Sequence, residues 1–151
     1  MKPTLVIGLG NPLAGDDAVG CRVAESLGRD VRLPPGVEVV CGGTDLLRCL
    51  PAMQGREHIV LVDAVLDDAP GGTIQVHRDC LTGLDDHQPH AHHLSPVQTM
   101  DLIRRHAPEI GATRTTLVAV PVPAVHIGLG LSSLVASRLP AIVDAVLQEL
   151  P

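Results

Sequence analysis

Apolar residues along this chain follow two rhythms. Short unbroken runs, Thr4 to Leu9, Val37 to Cys41, His58 to Val65, Thr73 to His77 and Thr115 to Val120, alternate with stretches where apolar residues recur every three or four positions. The runs read as strands and the stretches between them as helices, the order of a βαβ chain with a mostly parallel sheet. The run HIVLVDAV is almost wholly apolar, as a central strand covered on both faces must be. From Asp17 to about Gly28, the residues Val19, Val23 and Leu27 fall on one helical face, and Thr44 is placed to cap a helix through Leu46, Leu47 and Leu50. In Ser95-Pro96-Val97-Gln98, Ser at the cap, Pro at the first helical position and Gln at the third form a capping box. The last helix is expected from Ser132 or Ser133 to about Leu150, with a kink or break near Pro140.

A length of 151 residues suits one domain, residues 1–151, with a core that needs no staples. That core contains no Phe, Tyr or Trp, so it rests on Val, Leu, Ile and Ala, and no ring is available to stack a base. A net charge of -6 opposes attraction to nucleic acid or anionic lipid. No apolar run approaches the ~20 residues of a membrane span, and the N-terminus enters a strand directly, without the pattern of a signal peptide. The four cysteines, Cys21, Cys41, Cys49 and Cys80, lack C-x-x-C spacing. They are expected as reduced thiols, mostly buried, in a cytoplasmic protein.

The loop Gly8-Leu9-Gly10-Asn11-Pro12 would need a third glycine at position 13 to match a dinucleotide fingerprint, and Leu13 stands there. Asp16 and Asp17 open a helix, where one can cap and the other favour the dipole, a structural role that weighs evenly against a chemical one. Asp63 alters the balance. It lies at the carboxyl end of a central strand, where burial of a charge is costly unless it is paired or bound to something. Ligands of open α/β sheets bind at that edge, so Asp16 or Asp17 and Asp63 converge on one crevice if strands one and three are neighbours. His58, His77 and His106 read as surface residues. His87, His90, His92 and His93 form a cluster able to bind metal, and His126 is undecided. Two carboxylates and one imidazole suit Ni, Zn, Mn or Fe, and three ligands leave open positions for chemistry.

Taken together, these motifs resemble the hydrogenase maturation proteases, endopeptidases that process nickel-iron hydrogenase large subunits. The resemblance rests on VIGLGNPLAGDDAVGCRVAESL (Val6 to Leu27), Gly42-Gly43-Thr44, Val62-Asp63-Ala64, a His before an amphipathic helix, and Gly128-Leu129-Gly130-Leu131-Ser132. It implies a three-layer α/β fold, a twisted, mainly parallel five-stranded sheet with helices on both faces, of the phosphorylase/hydrolase-like kind. It also implies a site in which Asp17, Asp63 and a histidine bind metal and carry catalysis. His92 fits the family spacing before Leu94 and Ser95, with His93 the second choice. Gly42, Gly43, Thr44 and Asp45 would contact substrate. Many members carry Asp before Gly-Gly-Thr, whereas this chain has Cys41, leaving Asp45 as the nearby acid.

By the same resemblance the reaction removes a C-terminal extension from a nickel-loaded hydrogenase large-subunit precursor. The nickel belongs to that precursor, although another divalent metal is compatible with the ligands. Metal could polarise the scissile carbonyl or acidify an attacking water, and an unliganded carboxylate such as Asp16 could act as base. Neither nucleic acid nor membrane is expected as a partner. One alternative is a noncatalytic nickel-binding maturation chaperone using the His cluster. Another is a peptidyl-tRNA hydrolase, which shares GLGNP but follows it with Thr-Arg-His-Asn, where this chain has Ala14-Gly15-Asp16-Asp17.

Overall fold

The computed structural model describes residues 1–67, 72–78, 95–125 and 127–151. Its centre is a five-stranded sheet, β1 Thr4–Leu9, β2 Val37–Gly43, β3 His58–Leu66, β4 Gln75–Arg78 and β5 Arg114–Val122, in the order β2-β1-β3-β5-β4. The β2, β1, β3 and β5 strands run parallel, and β4 closes the edge antiparallel to β5. Chain order reverses between β1 and β3, because β1 pairs β2 on one side and β3 on the other. The mainly parallel sheet expected from the alternating pattern is therefore present.

Because successive strand residues point to opposite faces, the sheet divides its apolar residues into two cores. Val6, Val60, Val62, Val118 and Val120 face helices α1 (Val19–Gly28) and α5 (Ser133–Gln148). Leu5, Ile7, Ile59, Leu61 and Leu117 face α2 (Leu50–Met53), α3 (Pro96–His106) and α4 (Pro108–Gly111) through Met53, Met100, Ile103 and Ile110. Each such aliphatic side chain contributes about 1.5–3 kcal/mol by leaving water. Branched residues thus fill both layers where other proteins would use aromatic rings.

Two glycines bring α1 down onto the sheet. A Cβ on Gly20 would strike the carbonyl oxygens of Leu9 and Val62, and one on Gly8 would strike the carbonyl of Gly20. The first turn of α1 therefore rests on the carboxyl ends of β1 and β3. The short 3₁₀ turn Gly15–Ala18, with Asp16 and Asp17, is carried to the same edge.

Several expectations are corrected. The helix after β2 is capped by Asp45, whose side chain accepts from the Leu47 N–H, and not by Thr44. It begins as a 3₁₀ turn, Leu46–Cys49, before α2. Helix α5 continues through Pro140 without a break, because Pro140 sits on its exposed side and the missing N–H costs one hydrogen bond. His58 is buried, not at the surface. Its Nδ1 lies 3.0 Å from an Arg114 Nη, and since guanidinium only donates, Nδ1 accepts while Nε2 donates to Thr116 Oγ1 at 2.9 Å.

The cysteines also differ from the sequence reading. Cys21 and Cys41 form a disulfide across a Cα separation of 5.0 Å. Pairing of β1 with β2 sets Cys41 beside Gly8, and Cys21 reaches Gly8 from α1. That proximity is created by strand order, not by sequence spacing. Cys49 is a buried free thiol, whose pKa is pushed up by burial and by the nearby Asp45 charge. Cys80 and the polar loop from Leu81 to Ala91 lie outside the described residues.

Candidate functional site

At the switch between β1 and β3 the sheet opens into a crevice of about 830 Å³. Its floor and walls include Gly10, Asn11, Ala14 and Asp17 from the loop after β1, Gly43 to Leu47 after β2, Asp63 on β3, Pro96 and Thr99 on α3, and Val125. Sequence reasoning placed Asp17 and Asp63 at the ends of neighbouring strands, and the structure brings both to this space.

The two carboxylates are held differently. Asp17 Oδ2 accepts the Asn11 N–H at 2.8 Å, and Asn11 Oδ1 in turn accepts the Leu13 N–H at 2.9 Å. The Gly-Asn-Pro loop is thus folded around the carboxylate it presents. Gly10, at φ 138°, passes so close to the Asp17 carbonyl that a Cβ could not fit. Among the described residues, Asp63 Oδ1 accepts its neighbour's N–H, Ala64, at 2.9 Å. Burial, and then the negative charge of Asp17, push the Asp63 pKa up to about 7. No Lys or Arg stands among the described residues lining the crevice, so no basic side chain there offsets the carboxylates. Such a donor pair fits a divalent cation: oxygen ligands, excess negative charge and a proton that a cation could replace.

Asp16 does not share this space. It is only 1% exposed, and its Oδ1 accepts the Ser132 N–H at 2.7 Å, at the residue that caps α5 through Val135. A carboxylate so enclosed ties the start of α5 to the Asp16–Asp17 turn. The general-base role considered for Asp16 has no support in this geometry.

Of the four residues expected to contact substrate, Gly43, Thr44 and Asp45 line the crevice. Asp45 also caps the following turn and pairs with Arg48 at 3.6 Å. The side of Gly42 that a Cβ would occupy faces Ile7, Leu9 and Cys49 in the core. His87, His90, His92, His93 and His126 lie outside the described residues. Among the described residues, no cluster of three or more His, Cys, Asp or Glu is arranged to hold a metal.

Asn11, Pro96 and Thr99 were not assigned to the site beforehand. Asn11 was visible as part of Gly-x-Gly-Asn, but its hold on Asp17 depends on the loop's curl. The sequence pattern marks Pro96 only as a helix-starting residue and gives no signal at Thr99, and the crevice receives both because they lie in the first turn of α3. The outer rim is formed by two loops joined at Ala14 and Gly128, with Gly128 N–H bonded to Leu13 O at 2.9 Å and Gly15 N–H to Gly128 O at 3.0 Å. Leu13, Ile127 and Leu129 on these loops are 61%, 97% and 84% exposed, an unusual display of apolar surface.

Comparison with known proteins agrees with this architecture. A family model described as hydrogenase maturation protease matches residues 21–149. The chain is 40% identical over 77 residues to the Hydrogenase 2 maturation protease of Escherichia coli (strain K12), an alignment covering 50% of this chain and 46% of that protein. It is 26% identical over 134 residues to Protein FrxA of Pyrococcus furiosus, covering 88% of this chain and 94% of that one. An endopeptidase from Escherichia coli, solved in solution, superposes with a TM-score of 0.80 at 29% identity, covering 97% of this chain and 91% of its own. The hydrogenase maturating endopeptidase HybD from E. coli gives a TM-score of 0.76, also at 29% identity and the same coverage. The chain spans about half the length, or less, of the first curated relatives it matches. With the family model taking in most of its residues and the fold shared nearly end to end, this chain belongs to the hydrogenase maturation protease family.

Proposed function

We propose that this protein is an endopeptidase that removes the C-terminal extension of a nickel-loaded hydrogenase large-subunit precursor. The observation that carries the reading is the pair Asp17 and Asp63, two carboxylates facing one crevice with no basic residue among its described walls. Family membership supplies the peptidase class, and the exposed Leu13, Ile127 and Leu129 on the loops joined at Ala14 and Gly128 suit a protein client better than a small solute.

In this reading the nickel arrives with the client. Asp17, fixed by the Asn11 N–H, and Asp63, which holds its proton to about pH 7, offer it two oxygen donors. His92 completes the set. In the sequence it stands four positions before Pro96, the first residue of α3, whose Pro96 and Thr99 line the crevice. Asp17, Asp63 and His92 would hold a divalent ion, which would supply polarisation of the scissile carbonyl or a lowered pKa for the attacking water. Asp63 would give up its proton as the ion binds, and Gly43, Thr44 and Asp45 form the wall along which the client's tail lies. The aspartate-based, metal-sensing site and work in the cytoplasm belong to this proposal, and so does weak metal binding by the protein alone.

The test is mass spectrometry of a nickel-loaded large-subunit precursor incubated with the protein. The expected result is loss of a C-terminal peptide, abolished by Asp17→Asn, Asp63→Asn or His92→Ala and largely retained by His93→Ala. Retention of cleavage by His92→Ala but not His93→Ala would exchange the two histidines. An intact client together with metal that survives chelator dialysis would replace the peptidase by a nickel-carrying chaperone.

A further inference from the structure

The disulfide lies next to the proposed substrate wall, in a place where both of its redox states can be accommodated. Cys21 is in the first turn of α1, four residues after Asp17, and is 4% exposed. Cys41 is near the end of β2, two residues before Gly43, and is exposed. β2 is an edge strand. Its register with β1 slips just beyond Cys41, where Gly8 pairs with Cys41 but Leu9 pairs with Gly43. Past that bulge the regular ladder ends, and the Gly10 N–H to Gly43 O bond of 2.8 Å continues the tie between the two loops. The Cys21–Cys41 bond closes a ring through Gly10, Asp17, Cys21, Cys41 and Gly43, with Asn11 N–H bonded to Asp17 across it. One side of this ring is the carboxylate loop and the other leads into Thr44, Asp45 and Leu47.

Resting on the proposed function, we infer that Cys21–Cys41 is a thiol–disulfide exchange site that sets the position of the Gly43–Leu47 wall and thereby the protein's grip on its client. A dithiol reductant is the co-reactant. Its thiolate attacks the sulfur of Cys41, the exposed residue of the pair, the Cys21–Cys41 bond breaks, and Cys21 leaves as a thiolate that takes up a proton. The reductant's second thiol then displaces Cys41 as a thiol and closes its own disulfide. Two electrons and two protons have passed to the protein. The buried Cys21 thiol has acceptors waiting, with its sulfur 3.4 Å from the Gly8 carbonyl oxygen and 3.9 Å from that of Gly10. Reduction therefore leaves α1 and the β1–β2 ladder in place, while the segment beyond Cys41 keeps the Gly10–Gly43 hydrogen bond but loses its covalent anchor. Asp17 and Asp63 are held by other contacts, so the change falls on substrate binding more than on the chemical step.

The experiment compares protein oxidised by glutathione disulfide with protein reduced by dithiothreitol. Peptide mapping is expected to find Cys21 linked to Cys41 only in the oxidised sample. Hydrogen exchange is expected to speed up by about tenfold or more at the Gly10 amide on reduction. KM for the nickel-loaded precursor is expected to rise about tenfold, with kcat within about twofold. Cys41→Ser, and Cys21→Ala as a second variant, should behave as the reduced protein with or without dithiothreitol. Failure to link Cys21 with Cys41 overturns the inference, and so does equal Gly10 exchange in the two states. A KM unchanged by reduction, or one that still responds to dithiothreitol in both variants, also overturns it. Absence of cleavage in every sample would instead remove the proposed function, while the exchange measurement still decides whether the wall is redox-controlled.

Discussion

Asp63 favours its neutral form in the folded protein, with the pKa moved from 3.8 to about 7 by burial and by Asp17. Between those values the native state holds a proton that the unfolded chain has released, so stability falls as pH rises from about 4 and levels off above 7. Asp63→Asn removes that penalty. It is expected to be more stable than the parent at pH 8, by on the order of 1–3 kcal/mol, with the difference gone at pH 4. Thermal unfolding at the two pH values checks this, and an equal Tm difference at both would contradict it. Asp16 sits under a different constraint, bonded to Ser132 N–H. Asp16→Asn keeps an oxygen acceptor there and should retain most of the stability and cleavage. Asp16→Ala leaves the Ser132 N–H without it and should cost about 1–3 kcal/mol in urea unfolding. Equal loss of cleavage in the two variants, without loss of stability, would restore Asp16 as a base.

At the scale of elements, the strands were readable because unbroken apolar runs have few other places to go than a covered sheet. Thr4–Leu9 matches its predicted span, β3 extends its own by one residue, and β5 extends its own by one residue at the start and two at the end. The Ser95 capping box is also present, with Ser95 Oγ accepting from Gln98 N–H and Gln98 Oε1 from Ser95 N–H. Such motifs are local, so local sequence decides them. Of the kink or break expected at Pro140, the break does not occur. In α5, Val135, Ile142, Val143 and Val146 are buried, and their packing outweighs one lost bond. Pro140→Ala should restore that bond and stabilise the protein by about 1–2 kcal/mol, net of the stiffness proline gives the unfolded chain. Chemical denaturation with an unchanged m-value would verify it, and a destabilised variant would mean the ring is needed where it stands.

For the whole molecule, the crevice occupies one end of the sheet. Leu13, Ile127 and Leu129 contribute little to the core at their exposure, so charges there should leave folding unaffected. Under the proposed function, Ile127→Asp and Leu129→Asp should each raise KM for the folded precursor about tenfold or more, while changing Tm by less than about 2 °C. If both variants process the precursor with the parent's KM, the client docks elsewhere. Among the described residues, no helix is long and apolar enough to cross a membrane.

The division between what sequence determined and what folding decided follows the range of the forces involved. Apolar periodicity, capping boxes and the Gly-x-Gly-Asn loop act over a few residues, so they were legible in order along the chain. The placement of Asp63 at the end of an apolar run marked it for the site, because a charge there is costly without a use. Other features depend on residues far apart in the chain. Cys21 meets Cys41 because β2 pairs with β1 and α1 packs over both. Asp16 is enclosed because the start of α5 returns to it across 116 positions, and His58 is buried because Arg114 and Thr116 lie on the adjoining β5. Adjacent carboxylates such as Asp16 and Asp17 look alike in sequence. Only the packing around them made one a structural acceptor and left the other facing the crevice.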